Sequence, residues 1–94
     1  MLRAPLEQLF GYDIDMAPTR NMAFFLYTDR PGMIGKVGTI LGEAGINIAT
    51  MQVGRTDAGG QALMCLAVDS ALDHALLERI KAEAEMDNAW NVTL

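Results

Sequence analysis

A single α+β domain with the strand–helix order βαββαβ is predicted by three features of the 94-residue sequence. Two segments, 33–44 and 72–84, repeat apolar residues at helical spacing. Four shorter segments, 22–28, 46–53, 61–68 and 89–94, carry the aromatic, β-branched or alternating pattern of strands. Turn signals separate all six. The order is that of the ferredoxin-like split βαβ, an antiparallel four-stranded sheet with both helices on one face.

Before this pattern begins, residues 1–21 look different. Tyr12-Asp13-Ile14-Asp15-Met16 alternates with period two and ends at Ala17-Pro18, as a short strand would. Nothing in the same segment supplies a partner strand. It reads either as a β-arm of this domain or as the tail of an upstream domain, and the second is the working expectation. The boundary is drawn there, with 22–94 as the domain proper.

MAFFLYT (22–28) gives the first strand, and Asp29-Arg30-Pro31-Gly32 breaks it. Proline presets φ for a first helical turn, and Asp29 stands where it can cap free N–H groups. Met33, Ile34, Val37, Ile40, Leu41 and Ala44 form one helical stripe, and Gly45 suits the position after the helix. Gly35, Gly38 and Gly42 lie together beside that stripe, although each interior glycine costs a helix about 1 kcal/mol relative to alanine. Such a bare face lets another backbone approach closely, from the second helix or from a neighbouring domain. INIATMQV (46–53) is the second strand, RTDAGG (55–60) a hairpin connection, and QALMCLAV (61–68) a buried third strand. Ser70 with Asp73 resembles a capping box, followed by Leu72, Leu76, Ile80 and Ala84 at intervals of four. AWNVTL (89–94) closes the sheet after an Asp87-Asn88 turn.

Composition excludes several functions. At 51% hydrophobic and 20% charged, the chain is globular rather than disordered. A net charge of −5 with seven scattered basic residues argues against a nucleic-acid partner. The single cysteine, Cys65, cannot form an intrachain disulfide or a CxxC pair, which fits a reducing, cytoplasmic setting. No apolar run approaches the length of a membrane span, and no signal peptide is visible.

Candidates for chemistry are few. His74 has no cysteine or second histidine near it, so a metal site is not expected. Cys65 sits among apolar residues with no cation to activate it, and reads as inert. The seven methionines are dispersed and read as core filler, Trp90 as a core or interface anchor, and Glu78, Glu83 and Glu85 as a solvated helix face. Asp13 and Asp29 have no evident acid–base partner. GMIGKVG matches neither GxxxxGK[ST] nor GxGxxG, so no nucleotide cofactor is expected in this domain.

One constellation remains. The end of the first strand, the start of the first helix and the start of the second strand are expected at one end of the sheet. That would gather Tyr27, Asp29 and Asn47 at a helix N-terminus whose free N–H groups favour a carboxylate. Asp29 would favour an ammonium group, and Tyr27 and Asn47 offer neutral hydrogen bonds. The set suits a zwitterionic amino acid. It is equally consistent with Asp29 simply capping the helix and Asn47 filling a turn.

TDRPGMIGKVGTILGEAGINIA, followed by a hairpin and an apolar strand, resembles the ACT domain, a small-molecule-binding regulatory module. The Asp-Arg-Pro-Gly turn, the glycine-bearing helix and Gly45-Ile46-Asn47-Ile48 carry the likeness, which spans 22–94. Within the family it is most similar to the C-terminal regulatory domains of D-3-phosphoglycerate dehydrogenases. GYDIDMAP resembles the strand that closes an intervening domain in the longer dehydrogenases. The resemblance implies a homodimer paired sheet to sheet, with L-serine or a related amino acid between the two domains. It implies a ligand-binding set of Tyr27, Asp29, Gly32, Met33, Ile34 and Asn47. Some relatives have histidine at the position of Tyr27 and asparagine at that of Asp29. It also implies a non-catalytic fragment with no metal, since no Rossmann fingerprint, catalytic histidine or substrate-binding arginine is present. Two other readings share the topology: a ligand-free oligomerisation module, and a small acylphosphatase-type enzyme. The enzyme would need an arginine-lined phosphate loop after the first strand, where Arg30 is the one candidate.

Overall fold

A computed structural model describes residues 19–55 and 60–93. The alternating segment at 12–16, Asp13 with it, and the centre of the hairpin connection lie outside these residues. The elements are β1 (Asn21–Thr28), α1 (Met33–Glu43), β2 (Ile48–Arg55), β3 (Gln61–Val68), α2 (His74–Glu83) and β4 (Asn88–Thr93). They form one four-stranded sheet in the order β2-β3-β1-β4, with every neighbouring pair antiparallel. This is the βαββαβ ferredoxin-like arrangement that the sequence predicts.

The sheet is apolar on both faces. Ala23, Phe25, Tyr27, Ala62, Met64 and Leu66 face the helices and meet Met33, Val37, Ile40, Leu41, Leu77 and Ile80 in the main core. Met22, Phe24, Leu63, Cys65 and Ala67 form a smaller cluster on the opposite face, where Trp90 stacks on Phe24 with ring centroids 5.6 Å apart. Burial pushes the Cys65 thiol up to about 11, which leaves it protonated and unreactive near neutrality. Met22, Met33, Met64 and Met86 are all buried, as core filler should be.

The helix stripes differ in detail from the sequence pattern. On α1, Met33, Val37, Ile40 and Leu41 are buried, whereas Ile34 is 47% exposed and Ala44 is on the surface. The α1 terminus follows expectation: Gly45 adopts φ 76°, and Ile46 N–H donates to Leu41 O at 2.9 Å in a Schellman closure. On α2 the cap is Asp73, whose Oδ1 accepts from Leu76 N–H at 2.8 Å. Ser70 does not cap, because its hydroxyl sits 3.3 Å from Asp69 Oδ1. The chain between them stays non-helical while Leu72 enters the core, so the helix starts at His74 and buries Leu77 rather than Leu76. Among the described residues, no helix is long and apolar enough to cross a membrane.

Candidate functional site

Arg30-Pro31-Gly32 turns the chain from β1 into α1. Gly32 has φ 88° and ψ −3°, the third position of a type II turn, with Pro31 in the second position that proline favours. A side chain there would be strained. Gly32 is also the N-cap of α1, and no side chain among the described residues caps this helix. The first intrahelical bond runs from Lys36 N–H to Gly32 O at 3.0 Å. The N–H groups of Met33, Ile34 and Gly35 are therefore left without intrahelical partners, at the positive end of the helix dipole.

Asp29 does not cap α1. Its carboxylate lies 3.2 Å from Arg55 Nε, while its own N–H donates to Gly60 O at 2.7 Å. The sequence places Arg55 at the start of a hairpin connection; β2 instead extends to it. Register then puts Arg55 opposite Ala62 and Ala62 opposite Tyr27, a single row on the helix face of the sheet. That row is why an arginine at the end of an edge strand meets the turn after β1.

These groups surround one concavity of about 150 Å³, lined by Tyr27, Asp29, Arg30, Pro31, Gly32, Met33, Ile34, Gly35 and Arg55. Tyr27 is 2% exposed, and its hydroxyl makes no hydrogen bond with another described residue. Its phenol is held protonated by burial first and by the nearby Asp29 carboxylate second, with Arg55 opposing. A buried ring with an unpartnered hydroxyl at a cavity wall is a ready hydrogen-bond donor. The cavity is too small for a nucleotide or drug-sized ligand and suits a small polar molecule.

Five of the six expected ligand-binding residues, Tyr27, Asp29, Gly32, Met33 and Ile34, thus line the same space. Asn47 does not join them within one chain. The α1 crossover makes β1 and β2 parallel, so the start of β2 lies at the start of β1, roughly 25 Å away along an eight-residue strand. There the backbone of Asn47 is tied to Asp69 in both directions, at 3.1 Å each, and its side chain is exposed and makes no hydrogen bond with another described residue. The expected gathering of all three polar groups fails for that topological reason.

Arg30 has a different role. Its guanidinium donates to Thr28 O, Ala84 O and Glu85 O at 3.0–3.1 Å, closing the C-terminus of α2. A cation engaged by three carbonyls is poorly placed to cradle a phosphate. A larger concavity, about 430 Å³, lies between the helices and is lined by Gly35, Lys36, Thr39, Ile40, Glu43, Arg79 and Glu83. Arg79 there bridges Glu43 at 2.6 Å and Glu83 at 2.9 Å, so its charges answer one another. His74 is on the surface, and no group of three metal-ligating side chains occurs among the described residues.

The sequence model of the ACT domain matches residues 22–85. D-3-phosphoglycerate dehydrogenase of Bacillus subtilis is 42% identical over 75 residues, which are 80% of this chain and 14% of that protein. The protein of the same name from Synechocystis is 42% identical over 83 residues, 88% of this chain and 15% of its own length. The chain therefore spans about one seventh of these relatives. In fold, the ligand-free regulatory subunit of aspartate kinase from Thermus thermophilus superposes with a TM-score of 0.57, at 24% identity, over 77% of this chain and 48% of that one.

Proposed function

Because the chain belongs to the ACT domain family, we propose that it is a regulatory module that binds L-serine, or a closely related amino acid, at the interface of two copies. The parent protein on this reading is an NAD-dependent D-3-phosphoglycerate dehydrogenase of serine biosynthesis, and this region contributes control rather than catalysis. The observation that carries the reading is the convergence at one cavity of the Tyr27 hydroxyl, the Asp29 carboxylate and the uncapped N–H groups of α1. Together they offer an ammonium partner, a carboxylate partner and a neutral donor within a space of amino-acid size.

The position of Asn47 supports the dimeric form of the proposal. Among the described residues, strand β2 is an edge of the sheet. An antiparallel pairing of two β2 edges lays the start of each strand beside the end of the other. Each Asn47 then stands by the partner's Arg55 end, completing the cavity that a single chain leaves one polar residue short. Ligand binding at such a shared edge favours one arrangement of the two domains, and that preference is the currency of control.

Isothermal titration calorimetry tests the site. Asp29→Ala and Asn47→Ala are each expected to weaken L-serine binding at least tenfold while the fold, read by circular dichroism, is retained. Undiminished binding in both variants overturns the assignment. A dimer indifferent to every amino acid would instead favour the ligand-free oligomerisation module.

A further inference from the structure

We propose that Arg55 is the carboxylate receptor of this site and sets its preference for zwitterions over simple amines, an assignment that rests on the amino-acid reading above. Among the described residues, two arginines line the cavity. Arg30 is held by three carbonyls, which leaves Arg55, of these two, as the cation able to meet a ligand.

Its geometry suits that role. Arg55 approaches Asp29 through Nε, at 3.2 Å, and makes no hydrogen bond to another described residue through its two terminal nitrogens. The Arg55 side chain is 60% exposed whereas that of Asp29 is 14% exposed. The carboxylate is thus fixed in the wall, and the guanidinium reaches out over the cavity mouth. An ion pair presenting both signs at this spacing is the complement of an α-amino acid, whose ammonium and carboxylate sit on one carbon. The ligand's ammonium meets Asp29, and its carboxylate meets the terminal nitrogens of Arg55 in a bidentate fork. The helix N–H groups of Met33 and Ile34 favour the same carboxylate but cannot by themselves reject a neutral headgroup. A charged fork can, because a ligand lacking the carboxylate leaves it unanswered.

The pairing already present without ligand adds a second consequence. Arg55 holds the Asp29 carboxylate in place at the cavity wall, so the site stands preorganised for exchange of one ion pair for two.

Titration calorimetry of the full chain with L-serine and with L-serinamide, which keeps the ammonium and hydroxyl but lacks the carboxylate, tests the assignment. The wild-type chain is expected to prefer L-serine at least tenfold. Arg55→Gln should reduce L-serine affinity at least tenfold, change serinamide affinity less than about threefold, and so collapse the preference. Arg55→Lys should restore it in part, retaining charge without the fork. Equal losses for both ligands would make Arg55 a structural support and overturn the proposal, as would tighter L-serine binding in Arg55→Gln, the mark of a competitor for Asp29. A wild-type chain that binds no amino acid overturns the amino-acid reading and the Arg55 role together. Normal wild-type binding that Arg55→Gln leaves untouched overturns the Arg55 role alone.

Discussion

Within the Asp-Arg-Pro-Gly turn, adjacent residues face opposite tasks. Asp29 turns to the cavity and to Arg55, whereas Arg30 ties the turn to the end of α2 through Ala84 O and Glu85 O. Glu85 itself has φ 53°, a left-handed conformation uncommon outside glycine, and the arginine contact helps hold it. Removing the guanidinium leaves several carbonyls to find water or stay unpaired, at a net cost of about 1–3 kcal/mol. Arg30→Ala is therefore expected to lower the urea midpoint without a change of slope, while L-serine affinity stays within about threefold of wild type. A loss of binding with unchanged stability would reverse the roles assigned here. At this scale the sequence was partly legible. The positions of Tyr27 and Asp29 beside a helix start follow from local spacing, but the partner of Asp29 does not. Arg55 is 26 positions away, and only the register of three strands sets it in the same row.

The α1 helix carries the element-scale question, since Gly35, Gly38 and Gly42 weaken it. A methyl group added at any of the three would meet no described residue within 4 Å. The second helix therefore does not use this bare face, which rules out one of the two packing partners that the sequence allowed. Among the described residues nothing covers this face, and a neighbouring copy is the remaining partner. Gly38→Leu is expected to leave the monomer folded, with a melting temperature unchanged or raised because leucine has the better helix propensity. The same change should abolish self-association in sedimentation velocity. A lower melting temperature with dimerisation intact would show that the stripe serves the chain's own fold. Strand and helix identities were legible because apolar periodicity is a local signal, and so was the Schellman closure at Gly45. The α2 start was not: both Ser70 and Asp73 can cap, and the need to bury Leu72 first selects the later one.

Across the whole molecule, the ordering of the strands decides what one chain can and cannot do. On sequence alone, Asn47 groups with Asp29 because the start of the second strand is expected at the same end of the sheet as the end of the first. The parallel crossover sends it to the far end of the sheet instead. The same crossover gives the edge strand β2 a site at one end and its missing residue at the other, the arrangement that a twofold pairing completes. A ligand held across that edge binds the pair better than the single chain, and linkage requires that it tighten the pair in return. Coupling of the usual size, about 1–3 kcal/mol, corresponds to roughly 5- to 150-fold in association. The most direct test is sedimentation equilibrium of the chain with and without saturating L-serine. The dimer dissociation constant is expected to be at least fivefold lower with the amino acid present. A monomer–dimer equilibrium that does not respond to L-serine, or to any of the other amino acids, would contradict the shared-edge site.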